Sequence, residues 1–169
     1  MCRDVLEAYW MCPCVGRMDD IWPSYVVRRI ADHLGDAVAY GFPIVTQERN
    51  PHDLFRDLDD ERLGMRLGDD FCAALKKAKL TGTTYGGCLA ELATQMREWV
   101  DEEDWEGGAK GRWGGGDGRC GAGEGTGDGW GGKGGGKAHR AFVEGFVESM
   151  VVWGKTMQRA KARVAKMHP

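Results

Sequence analysis

The chain has 169 residues, 27 of them glycine, and a formal net charge of -3. That is one domain's worth of chain, part of which cannot contribute to a core, and the charge is too small to indicate a nucleic-acid partner. No apolar run approaches the roughly 20 residues needed to cross a bilayer, so no transmembrane segment is expected.

Charge and glycine are placed unevenly. Acidic residues crowd Asp53–Glu61 and Asp101–Glu106, and the last fifteen residues are basic. Most of the glycine excess falls between Gly107 and Gly136. Without that stretch about 140 residues remain in two unequal pieces, enough for one small core. The six cysteines (Cys2, Cys12, Cys14, Cys72, Cys88, Cys120) include no Cys-x-x-Cys pair, and Asp4 and Glu7 interrupt any secretory signal. Cys12 and Cys14 are too close for an ordinary structural bridge and lack a zinc partner set. The thiols are therefore expected to be mostly free, in a reducing compartment. The expected location is the cytoplasm, with peripheral attachment to Golgi membranes as a variant.

Val5–Val15 is apolar and aromatic, and Pro13 breaks any regular helix, so it reads as buried chain leading into a turn at Gly16. A compact domain rarely begins inside a core segment. Either an upstream portion is missing, or the stretch packs late against the rest. From Asp20 the period is helical: Trp22, Tyr25, Val26, Ile30 and Leu34 form one face, and Arg28, Arg29 and Asp32 lie largely on the other. Pro23 sits in the first turn, where its missing N–H has no partner to lose. Asp19 or Asp20 serves as N-cap, and Gly35 ends a helix of about four turns.

Ala37–Tyr40 and Phe42–Thr46 read as one bent strand or two short ones, broken by Gly41 and Pro43. Asn50-Pro51-His52-Asp53 predicts a helix start, with Asn50 as cap and Pro51 first in the helix. That helix should bury Leu54, Phe55 and Leu58 and end near Gly64. A third helix is expected over Asp69–Leu80, a turn-rich break over Thr81–Gly87, and a fourth helix over Cys88–Val100. Gly107–Lys137 has too little apolar surface to offset glycine's backbone entropy, and is expected to be a flexible tether. Its Gly-x-Gly repeats lack the strand and helix that would make a phosphate loop. In the tail, Ala138–Met167, the residues Phe146, Met150, Trp153, Met157, Ala160, Val164 and Met167 follow a heptad seam, with Phe142 one step earlier. Docking on the chain's own domain is its first reading. A calmodulin-type target, a coiled-coil partner helix or a membrane-surface helix are the others.

Chemistry is best sought in Gly16-Arg17-Met18-Asp19-Asp20-Ile21-Trp22. Adjacent carboxylates at a helix start can approach a hard divalent cation, or one can act as general base beside a charged neighbour. Arg17 could pair with a carboxylate or reach a substrate phosphate. The plainer alternative is that Asp20 only caps a helix. Trp22 and Tyr25 suit a core before a sugar platform, and His33 and His52 suit a helix end and a capping or surface role. Gln47-Glu48-Arg49 is either a functional loop or a solvated turn.

These residues, followed by Asp32-His33-Leu34-Gly35, Gly41-x-Pro43 and Asn50-Pro51, resemble the C-terminal half of the reversibly glycosylated polypeptides, the UDP-arabinopyranose mutases. The resemblance covers about Val15–Gly64. It implies an α/β fold, part of a glycosyltransferase domain of the nucleotide-diphospho-sugar (GT-A) type. It also implies a nucleotide-diphosphate sugar as substrate, a divalent metal (Mn or Mg), and sugar transfer or rearrangement as the reaction. By position, Asp19 and Asp20 would be the catalytic acidic pair, and Arg17, Trp22 and His33 would bind substrate. The family's N-terminal half carries the nucleotide-binding strands, the metal-binding acidic cluster and the glycosylated arginine. This sequence has no counterpart to them, which implies a chain inactive alone and makes another transferase subunit a candidate partner. The expected organisation is thus 1–106 as a partial transferase-like domain, 107–137 as linker and 138–169 as an amphipathic helix. The alternative function is a non-catalytic interaction protein working through that helix.

Overall fold

The computed structural model describes residues 3–48, 51–103, 105 and 135–167. Two short 3₁₀ segments, Arg3–Glu7 and Pro13–Met18, precede four helices: α1 (Ile21–Leu34), α2 (Leu54–Lys77), α3 (Tyr85–Glu102) and α4 (Gly135–Met167). No strand occurs among the described residues, so the described part of the chain is helix-rich rather than α/β.

The core forms where the apolar faces of all four helices meet the opening segment. Trp22 of α1 stacks on Phe71 of α2 with ring centroids 4.1 Å apart, and Phe146 of α4 meets both rings edge-on at 5.3 Å. Val26 and Ile30 extend the α1 face, and Leu89, Leu92, Met96 and Val100 form that of α3. Helix α4 runs antiparallel to α3, as the ion pairs Arg140–Asp101 and Arg97–Glu148 show. The opening segment is tied in by Trp10, whose ring packs on Phe146 and whose indole N–H donates to Ser149 Oγ at 3.0 Å. Its expected burial holds for Trp10, Cys12 and Val15, whereas Leu6 and Met11 face out.

Several expected elements differ. The predicted strands at Ala37–Tyr40 and Phe42–Thr46 are irregular and exposed, with Tyr40 and Phe42 each 95% accessible. A strand needs a neighbour to take its backbone hydrogen bonds, and none of the described residues supplies one. Asn50 lies outside the described residues, and the next helix starts at Leu54. Its cap is Asp53, whose Oδ1 accepts from the N–H groups of Phe55 at 2.9 Å and Arg56 at 3.3 Å. The two helices expected over 54–64 and 69–80 are one, running through Gly64 and Gly68. Leu54, Phe55 and Leu58, expected in the core, are exposed, because the second 3₁₀ segment meets the start of α2 through Arg17 on Asp57 and Glu61 and no described element covers the apolar side. Tyr25 is also more exposed than its place in the helical period suggests.

The break after α2 is held by side chains rather than by regular structure. Arg29 donates to the carbonyls of Leu75 at 3.0 Å and Ala78 at 2.8 Å, taking up orphan acceptors at the end of α2. Gln95 bonds both the N–H and the carbonyl of Lys79 at 2.8 Å. Glu91 accepts from Thr81 N–H, Thr81 Oγ1 and Gly82 N–H, and these bonds hold its carboxyl below the usual range. The expected tether, 107–137, lies outside the described residues except for its last three. Half of the tail docks as expected, through Val143, Phe146, Val147 and Met150, and the half beyond Gly154 is largely exposed.

Candidate functional site

Gly16 sets the path of the acidic turn. Its φ of +54° and ψ of -132° form a backbone state that a side chain would strain, and it reverses the chain inside the second 3₁₀ segment. Asp19 is then fixed on both sides of its backbone. Its N–H donates to Gly16 O at 3.2 Å, and its carbonyl accepts from Cys12 N–H at 3.1 Å. Met18 is buried and lies over Gly64 of α2, so the turn rests on that helix. Asp20 stands at the N-cap position of α1, yet its side chain makes no cap hydrogen bond; its carbonyl instead accepts from Ser24 N–H and Oγ. Asp20 is exposed and Asp19 half-buried, and no ion pair among the described residues involves either.

Arg17 turns the other way, toward α2. Its Nε donates to Glu61 Oε1 at 2.7 Å, and a terminal nitrogen lies 3.1 Å from Asp57 Oδ1. The hydrogen bond to Glu61 raises the guanidinium pKa further. Asp57 is bonded by His52 Nδ1 as well; that bond first, and then the Arg17 charge, hold its carboxyl below the usual range. Arg17 is therefore a neutralised member of a surface network rather than a bare phosphate ligand.

The structure does not bring the remaining two candidates to the turn. Trp22 is 1% exposed, with its ring enclosed by Phe71, Phe142 and Phe146, so it serves packing. His33 is thirteen residues beyond Asp20 on the same helix, about 20 Å away at the α-helical rise. There its Nε2–H donates to Gly82 O at 2.9 Å, which ties α1 to the break before α3. Among the described residues no three His, Cys, Asp or Glu side chains converge, so these residues do not by themselves build the divalent-cation site that the resemblance implies. The four described cysteines are free, and burial pushes the thiols of Cys12, Cys72 and Cys88 up, away from reactive thiolates.

Asp57, Glu61 and Gly64 frame the turn, and sequence reasoning missed all three. The only signal was the acidic run after Asp53, and its partner Arg17 lies 44 residues earlier than Glu61.

The site is thus an acidic turn mounted on a helical body, within a stretch that known proteins share. The sequence model of the family described as reversibly glycosylated polypeptide matches residues 13–106, more than half of the chain. The chain belongs to that family. It is 33% identical over 88 residues to UDP-arabinopyranose mutase 1 of Arabidopsis thaliana, an alignment covering 50% of this chain and 24% of that protein. To UDP-arabinopyranose mutase 2 of the same plant it is 29% identical over 94 residues, covering 53% and 25%. The chain therefore spans about a quarter of the length of the curated relatives it matches. No solved structure matches it. No helix among the described residues is long and apolar enough to cross a membrane.

Proposed function

We propose that this chain is a UDP-sugar mutase-like protein of carbohydrate metabolism that presents the acidic side of a site for a nucleotide-diphosphate sugar. One observation carries the reading. Inside the family-matched stretch, two adjacent carboxylates with no ion-pair partner among the described residues stand on a turn whose backbone is fixed by Gly16 and Cys12 and whose base rests on Gly64. Such a pair suits sugar chemistry, where one carboxylate takes a hydroxyl proton and the other stabilises developing positive charge. Asp19 and Asp20 fill these roles, and Arg17 tunes the approach through its network. The GT-A-type α/β architecture would be completed by a sheet outside the described residues, supplied by another transferase subunit. Sugar transfer or rearrangement would then need both parts.

The test is calorimetry of the full chain with UDP-arabinopyranose, with and without manganese. Heat of binding is expected, and Asp20→Asn should weaken it at least tenfold. Because the Asp20 side chain holds no cap bond, that substitution should leave stability within about 0.5 kcal/mol. Absence of heat from the folded chain refutes autonomous binding.

A second reading is favoured by the exposed half of α4: a non-catalytic protein acting through its basic helix.

A further inference from the structure

Two cysteines of the opening segment sit together on one face of α4. Cys14 lies over Gly145, where an added Cβ would fall 3.3 Å from Cys14 Cβ, and the glycine lets the chain approach this closely. One turn along the same face, Ser149 Oγ is hydrogen-bonded to Cys12 Sγ at 3.1 Å. Cys14 N–H donates to the Cys12 sulfur, and the two thiols are hydrogen-bonded to each other. The pair is asymmetric, with Cys12 fully buried and Cys14 in solvent. Cys72 and Cys88 are influenced by charged side chains instead of a second thiol.

This arrangement suits thiol exchange rather than a permanent bridge. Pro13, between the cysteines, opens the 3₁₀ segment, and a helical residue leaves its two neighbours with Cα atoms about 5 Å apart. A disulfide spans roughly 4.4–6.8 Å between Cα atoms, so the backbone already permits the bond. The loop it closes is very short, so the bond constrains the unfolded chain little and stays open to reduction. We propose that Cys12 and Cys14 form a redox dithiol, oxidised by a low-molecular-weight disulfide such as glutathione disulfide, and that its closure loosens the acidic turn. Cys14 gives up its proton, and its thiolate attacks one sulfur of the glutathione disulfide. One glutathione thiolate leaves, and Cys14 carries the mixed disulfide. The Cys12 sulfur, already in contact, gives up its proton and attacks Cys14 Sγ, and the second glutathione thiolate leaves. Two protein thiols are oxidised, one glutathione disulfide is reduced to two glutathiones, and these take up the two protons. Burial raises the Cys12 thiol and keeps it from starting the exchange, while its contact with Cys14 lets it finish.

The bond reaches the turn through Cys12 itself. Its N–H donates to Asp19 O, and its sulfur is held by the same Ser149 Oγ that accepts the Trp10 indole N–H. An S–S bond of about 2.05 Å draws the sulfur off Ser149 and turns the Cys12 peptide with it. Asp19 then loses one of the two backbone bonds that fix it. The dithiol stands apart from the sugar-binding reading; only its effect on Asp19 and Asp20 bears on that site.

Peptide mapping of the full chain tests this, because trypsin releases Asp4–Arg17 with Cys12 and Cys14 as its only cysteines. The folded chain is equilibrated with reduced and oxidised glutathione and quenched with an alkylating agent. The peptide should lose two hydrogens and hold no lasting glutathione adduct, and dithiothreitol should restore both thiols. Cys12→Ser should stop at a glutathione adduct on Cys14, whereas Cys14→Ser should leave Cys12 a free thiol, each variant keeping its helical circular dichroism. Hydrogen exchange at the Cys12 amide should quicken about tenfold or more on oxidation. A peptide that keeps both thiols, a lasting adduct on Cys14 in the unaltered chain, or equal adducts in the two variants overturns the dithiol. Closure with unchanged exchange at Cys12 overturns its hold on the turn. No sugar enters these readouts, so their failure is distinct from a failure of the calorimetry.

Discussion

Gly64 and Gly68 lie one turn apart in α2, and the structure assigns alanine opposite effects at the two positions. In a helix interior Gly→Ala gains about 1 kcal/mol, because alanine loses less backbone entropy on folding. Gly68 has open space around its Cα, so Gly68→Ala should realise that gain and raise the melting temperature by about 2–4 °C for a chain of this size. At Gly64 an added Cβ would fall 2.2 Å from Met18 Cγ, 3.0 Å from Sδ and 3.1 Å from Cε. Met18 is 3% exposed and has no open side to retreat into. Overpacking of this kind costs about 1–3 kcal/mol. Gly64→Ala should therefore range from neutral to about 2 kcal/mol destabilising, and fall about 1–3 kcal/mol below Gly68→Ala. Urea unfolding followed by circular dichroism measures both. Coupling provides a second check: in a Met18→Ala background the Gly64→Ala penalty should disappear. Equal stabilisation at the two glycines, or no coupling to Met18, would refute the contact that seats the acidic turn on α2.

Other substitutions probe the same frame. Gly16→Ala places a side chain at φ +54° and should cost about 1 kcal/mol or more in urea unfolding, with loss of any UDP-sugar binding by the adjoining turn. Trp22→Ala empties the centre of the aromatic cluster and should cost about 3–5 kcal/mol, enough to abolish a cooperative melting transition. If Trp22 were instead an exposed sugar platform, the fold would survive that change and only binding would suffer. Stability should fall on acidification in two stages. Burial lowers the pKa of His139, so its contribution is complete above the unfolded value near 6.5 and is lost as pH falls from there through the lowered value in the fold; His139→Gln should remove this first stage. Asp57 and Glu91 are also lowered, so their contributions persist above the ordinary carboxylate range and vanish as pH falls through their depressed values. Melting temperature against pH shows whether the two stages occur.

Helices with a clear apolar period were legible in advance. The α1 face of Trp22, Val26 and Ile30, the α3 face, and the tail seam through Phe146 and Met150 all follow from spacing alone. Local signals failed where a distant partner decides. Val38, Tyr40 and Ile44 have the composition of strands, yet composition cannot provide the neighbouring strand that such a segment needs. Gly64 looked like a helix end, and only the approach of Met18, 46 residues earlier, gives a glycine there a reason inside a helix.

The same division holds at the candidate site. The sequence by itself determined the Gly-Arg-Met-Asp-Asp-Ile-Trp turn at a helix start and the family to which residues 13–106 belong, because short-range backbone preferences and ordered motifs are written in neighbouring residues. Tertiary structure alone decided that Asp20 stands in solvent, that His33 is held by Gly82 at the far end of α1, and that Arg17 is neutralised by Asp57 and Glu61. Those outcomes depend on which surfaces meet across the core, and burial and ion pairing between residues tens of positions apart have no local signature.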